Sequence, residues 1–176
     1  MKRKAMLAVA VGMALAIVGG AAISAQDKYT LQVPNGLAFS AFRGYEKWEV
    51  VAVSQAGETI EVIVANPAMI GAYRAGAPGN GKPFPDGSRM AKIHWKAVKS
   101  ADAPAPTIVP GTLHDVDFME RDSKRFAASG AWGYAEFDYN DTSDTFTPVG
   151  TGSDCGYACH TIVAKKDYVF TTYPKR

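Results

Sequence analysis

Residues 48–65 read WEVVAVSQAGETIEVIVA. Two Val/Ile-rich runs, Trp48 to Gln55 and Thr59 to Ala65, flank a short polar stretch that carries Gly57. β-branched residues favour a pleated surface, and a Gly between two such runs is a turn signal. The pattern predicts two antiparallel strands joined as a hairpin.

Working outward, Pro67 opens NPAMIGAYRAG (66–76). Proline suits a first helical turn and Gly76 suits a helix end, so a short helix follows the hairpin. Residues 77–87, APGNGKPFPDG, form a Pro/Gly-rich loop that delivers the chain to SRMAKIHWKAV (88–98). There Ala91, Ile93 and Trp95 alternate with Met90, Lys92, His94 and Lys96, a period of two that predicts a strand with two distinct faces. An extended connection over 99–110 leads to a strand over 112–119. ERDSKRFAAS (120–129) reads as a short helix ended by Gly130, and aromatic WGYAEFDY (132–139) as a further strand. Residues 140–153 are turn-rich. Upstream, residues 32–43 combine a Pro34-Asn35-Gly36 turn with a short amphipathic piece. Four or five strands with a few short helices between them predict a single α+β domain built on an antiparallel sheet.

At the N-terminus Lys2, Arg3 and Lys4 precede an uncharged apolar run over 5–22, then small residues at Ala22, Ser24 and Ala25. This predicts a signal peptide over 1–25, cleaved after Ala25, with residues 26–176 as the domain and a periplasmic or secreted destination. The chain has 19 Lys/Arg against 17 Asp/Glu. Cleavage removes three of those cations and no acid, so the domain is near neutral and offers no electrostatic case for nucleic acid.

The chemistry concentrates in DCGYACH (154–160), which holds both cysteines of the chain. Two thiols followed at once by a histidine match the logic of c-type haem attachment, in which the thiols anchor the macrocycle and the histidine ligates iron. The usual spacing is two residues between the cysteines; here it is three. One added residue turns a side chain by about 100° on a helix. Cysteines four apart on a helix lie about 6 Å apart at Cα, so a disulfide is also open to Cys155 and Cys159. That alternative describes a non-catalytic exported domain with no haem, binding some other small ligand. His94, His114 and His160 match no metal-binding spacing.

DCGYACHTIVAKKDYVFTTYPKR (154–176) resembles the C-terminal end of cytochrome P-460 domains. NPAMIGAYRAG (66–76), FPDGSRMAKIHW (84–95) and DFMERDSKRFAASGAWGYAEFDY (117–139) resemble the same family, in the same order. The resemblance implies an antiparallel sheet with packed helices, a homodimer and a haem c. It implies His160 as the axial ligand to iron, Cys155 and Cys159 as the thioether anchors, and Lys92 as a catalytic lysine bonded to the haem ring. It implies oxidation of hydroxylamine, or binding or oxidation of nitric oxide, with a partner cytochrome as electron acceptor. A bond from Lys92 requires a neutral, nucleophilic amine, which burial beside an apolar ring favours. Asp117 and Glu136, carboxylates beside aromatic residues, are candidates for the distal side.

Overall fold

The computed structural model describes residues 25–150 and 153–175, with the backbone alone for 153–155. The anticipated signal peptide, apart from Ala25, and the side chain of Cys155 lie outside the described residues. No helix among the described residues is long and apolar enough to cross a membrane.

Six antiparallel strands follow one another in a single sheet, each paired with the next: β1 (Glu49–Ala56), β2 (Thr59–Ala65), β3 (Arg89–Lys99), β4 (Ile108–Arg121), β5 (Trp132–Asn140) and β6 (Thr145–Val149). The expected hairpin is β1–β2, closed by Gly57 and Glu58 with Ala56 opposite Thr59. Gly57 takes φ +57°, the positive value that favours glycine in so tight a turn. Helix α1 (Pro67–Arg74) forms where expected. The Asn66 side chain accepts a hydrogen bond from the Met69 N–H at 3.1 Å, capping the helix, and Pro67 occupies its first turn. The same Asn66 oxygen accepts from Arg89 N–H, tying the helix start to the start of β3.

Two parts of the sequence reading are corrected. Residues 120–129 do not form a helix: β4 continues to Arg121, and only Ala127–Ser129 makes a 3-10 turn. The Asp122 carboxylate accepts from Lys124 and Arg125 N–H, a local turn that competes with helix formation. The turn-rich 140–153 segment contains β6, a sixth strand. Its Pro148 suits only an edge strand, and its one fully committed core residue is Phe146, so its period is weak.

Each face of the sheet carries its own core. On one face Ala91, Ile93, Val116, Phe118 and Phe137 pack beneath the N-terminal layer, led by Leu37, Phe39 and Phe42, and Phe42 stacks on Phe118 at 4.0 Å. On the other, Met90, Met119, Trp132 and Tyr134 meet Met69, Ile70 and Tyr73 of α1, Phe84 of the following loop and Val169 of the C-terminal tail. Helix α2 (Ser153–His160) and the 3-10 segment Thr161–Lys166 complete that second layer.

Candidate functional site

Antiparallel register sets side chains in rows across the second face. Ala65, Met90, Met119 and Tyr134 lie opposite one another in the first row; Ile63, Lys92, Asp117 and Glu136 in the next; Glu61, His94, Asp115 and Asp138 in the third. An apolar wall thus gives way, within one residue pair along each strand, to charged rows. Above the junction a cavity of about 540 Å³ opens, floored by Lys92, Asp117 and Glu136 and roofed by Cys159, His160, Val169 and Phe170. That volume lies in the roughly 300–1,000 Å³ range of ligand sites.

Helix α2 reaches this position because Gly156 lets it lie directly on β5. A Cβ at Gly156 would stand 2.4 Å from Cγ of Tyr134. His160, at the end of the helix, is flanked by the Tyr134 ring at 5.0 Å and the Phe170 ring at 4.9 Å. Its Nδ1–H donates to the Tyr168 carbonyl at 2.6 Å. Burial holds the imidazole below its ordinary pKa, against that hydrogen bond and with help from the charge of Lys92. The neutral tautomer so fixed keeps its lone pair on Nε2, the arrangement that metal-ligating histidines show when a carbonyl holds their other nitrogen.

The carbonyl is itself held by an unusual backbone. Asp167 and Tyr168 are consecutive non-glycine residues with φ +51° and +62°, a conformation that costs energy unless its surroundings enforce it. Here the Asp167 carboxylate accepts from Phe84 N–H at 2.7 Å and from Arg121 Nη1 at 3.0 Å, with both charged side chains almost wholly buried. The Tyr168 ring fills the place a side chain at Gly130 would occupy.

Lys92 lines the cavity, but its amine faces Glu61 at 3.0 Å rather than the apolar surroundings expected of it, and its side chain is 34% exposed. Burial raises the Glu61 carboxyl, yet hydrogen bonds from Lys92 and Ser54 outweigh it and leave the group below its usual range. Asp117 is the opposite case. Burial, with repulsion from Asp115 and Glu136, pushes its pKa up to about 7 against the attraction of His94 and Lys92. Glu136 is raised for the same reasons, burial first and then Asp115 and Asp138. Beyond them His94 hydrogen-bonds Asp115 through Nδ1, and the other Asp115 oxygen hydrogen-bonds Nδ1 of His114. Burial disfavours the His94 imidazolium, but the Asp115 contact prevails and its pKa is raised.

Of the residues singled out from sequence, Lys92, Cys159 and His160 meet at one cavity, with Asp117 and Glu136 beside them. Cys159 is an exposed free thiol, and the side chain of Cys155 lies outside the described residues. Glu61, Asp115, Tyr134, Asp167 and Tyr168 escaped the sequence reading. Glu61 alone had a legible signal, as the one acid inside a Val/Ile strand; the others depend on pairings distant in sequence.

The donor set suits a haem: an imidazole with its second nitrogen tied, a neighbouring thiol, and a slot with one apolar and one polar wall. The cytochrome P460 family model matches residues 42–171, a span that holds all six strands, both α-helices and the whole lining of the cavity. No curated protein matches the chain. Family and donor set agree on haem binding: the chain belongs to the cytochrome P460 family.

Proposed function

We propose that this chain is an exported mono-haem c-type cytochrome of the P-460 type that oxidises hydroxylamine, or binds and oxidises nitric oxide, in the cavity between the sheet and α2. The observation that carries the reading is His160, oriented by the Tyr168 carbonyl, sharing one cavity with Lys92. His160 would ligate iron through Nε2, Cys155 and Cys159 would form the thioethers, and Lys92 would bond the ring. The haem supplies one-electron redox chemistry and an open position for a small nitrogen compound.

The chain's own residues supply the rest. Met90, Met119 and Val169 form an apolar wall that excludes water. Glu61, hydrogen-bonded to the Lys92 amine, is placed to take the proton that a lysine must lose before it can act as a nucleophile. Lys2 to Lys4, the apolar run and Ala25 support export with cleavage after Ala25. A homodimer and a soluble cytochrome as electron acceptor complete the proposal.

The test is expression with c-type haem maturation. Intact mass should show loss of about 25 residues together with addition of one haem, and the denatured band should stain for haem peroxidase activity. Lys92→Leu should keep the haem bound while its spectrum moves to that of an ordinary c-type haem, with hydroxylamine oxidation falling. A colourless protein sinks the proposal; an unchanged Lys92→Leu spectrum removes the cross-link and leaves a gas-binding or electron-transfer cytochrome.

A further inference from the structure

The C-terminal segment that roofs the cavity also has an outer surface. The backbone stays helical at His160, so α2 runs on into the 3-10 segment Thr161–Lys166. One turn along it from Ala158 and Cys159, both exposed, stands Ile162, which at 81% is the most exposed large apolar side chain among the described residues. After a kink at Val163 the segment closes on Lys165 and Lys166, both exposed. Phe170, 48% exposed, sets its ring edge-on against His160 at 4.9 Å.

The charge of this surface has one sign. Residues 156–175 hold three lysines, Lys165, Lys166 and Lys175, against one acid, Asp167. That carboxylate is turned inward, to the Phe84 N–H and the Arg121 guanidinium. Ile162 alone would be an ordinary surface residue. What sets it apart is its place, one turn from the exposed Cys159 thiol and beside two cations with no exposed acid in the same segment.

We propose that this surface is where the protein passes electrons on, and that it docks a soluble one-electron acceptor protein whose own redox centre is ringed by acidic residues. The inference rests on the haem reading of the same site. Electron tunnelling weakens exponentially with distance, so an acceptor must seat where the covering of the redox group is thinnest. In that reading Cys159 is a thioether anchor and is itself exposed, and Phe170 puts a single ring between His160 and solvent. One electron passes from the bound haem to the metal of the acceptor: the first is oxidised, the second is reduced, and no bond forms or breaks. Ile162 supplies the apolar centre of a contact smaller than the about 1,200 Å² below which brief redox encounters fall. Lys165 and Lys166 supply the steering, which the near-neutral domain as a whole does not.

The test mixes chemically reduced holoprotein with oxidised cytochrome c, used once with its lysines succinylated, which makes it acidic, and once unmodified and basic. In stopped flow at low ionic strength the wild type should reduce the acidic acceptor faster, and salt should erase the difference. Lys165→Glu combined with Lys166→Glu should slow the acidic acceptor about tenfold or more and speed the basic one, with the haem spectrum unchanged. Arginine at both positions should keep the wild-type preference. So should Lys96→Glu combined with Lys99→Glu, the same change of net charge on exposed residues further along β3. Ile162→Ser should slow both acceptors severalfold at any salt. A wild type that prefers the basic acceptor, a preference that survives reversal at Lys165 and Lys166, one lost equally by reversal at Lys96 and Lys99, or an unaltered Ile162→Ser overturns the assignment. If the protein is colourless, the haem reading fails by itself and the surface is judged by binding. In ¹⁵N NMR at low salt the acidic acceptor should then shift the amides of residues 158–166 in the wild type and not in the charge reversal. Shifts elsewhere alone refute the docking surface, as do the same shifts on concentrating the protein by itself, which would mark a second copy as the occupant.

Discussion

Two helical glycines of this chain should respond oppositely to the same substitution. At Gly71, in α1, an added methyl meets nothing within 4 Å. Gly71→Ala therefore gains only what a helix interior gains from alanine, about 0.5–1 kcal/mol. At Gly156, in α2, the methyl would lie 2.4, 2.5 and 2.6 Å from Cγ, Cδ1 and Cβ of Tyr134. Carbon atoms rest about 3.5–4.0 Å apart, so roughly 1 Å must open between helix and sheet. These Tyr134 atoms are the root of a buried side chain on β5, not its flexible end, so the helix must move. Overpacking of this kind costs about 1–3 kcal/mol. Because both variants gain the same helix propensity, their difference isolates the clash: Gly156→Ala should fall about 1–3 kcal/mol below Gly71→Ala. Urea unfolding reads this as a shift of midpoint at constant slope, and melting temperatures should separate by about 2–4 °C per kcal/mol. Lifting α2 also displaces His160, so haem loading of Gly156→Ala should drop while that of Gly71→Ala holds. Equal midpoints for the two variants would refute the seating of α2 on Tyr134.

Asp167→Ala should lower the urea midpoint, by less than the about 3–5 kcal/mol of a buried charge left wholly unpaired, since it leaves the Arg121 guanidinium only Asp86, half exposed and 3.9 Å away, as an ion-pair partner, and it should weaken haem retention by freeing the Tyr168 carbonyl that orients His160. Asp117→Asn should show a pH-dependent gain in stability. The folded Asp117 pKa, about 7, stands above its unfolded value, so ionisation penalises the native state as pH rises between about 4 and 7. The variant's advantage should be absent at pH 4, grow through that window and level off above it; a pH-independent difference in urea midpoints would contradict the raised pKa of the half-buried Asp117.

Strands with a clear period were legible in the sequence. WEVVAVSQ and TIEVIVA are Val/Ile-rich and SRMAKIHWKAV alternates, and each appears at nearly its predicted position. Helix α1 was legible because Asn66, Pro67 and Gly76 are local signals. What escaped depends on partners far along the chain. β6 shows little period because an edge strand needs little burial. Residues 120–129 look helical until β3 and β5 claim Glu120 and Arg121 as ladder positions. The same holds for the site. Lys92 and His160 stood out through the family resemblance, whereas the grouping of Asp117 and Asp115 with His94 exists only once the register sets β3 beside β4. Asp167 is invisible in the sequence, since its importance lies in a backbone conformation and a contact to Arg121, 46 residues away.

The two-sided sheet explains how this protein tolerates so charged a cavity floor. Along β3, Ala91 and Ile93 face the aromatic core under Phe39 and Phe42, while Lys92 and His94 face the site. Along β4, Val116 and Phe118 alternate in the same way with Asp115, Asp117 and Met119. Fully burying one such apolar side chain contributes roughly 1.5–3 kcal/mol, and the first face buries more than a dozen apolar residues in one cluster. The desolvation of Asp117 and its repulsion from Asp115 and Glu136 are thus sustained by packing on the opposite side of the same strands. Substitutions on the site face, Lys92→Leu and Asp117→Asn among them, leave that packing untouched. A change in their spectrum or proton chemistry therefore reports on the cavity, whereas a substitution such as Phe118→Ala, which cuts into the aromatic core, would lose the sheet and the site together.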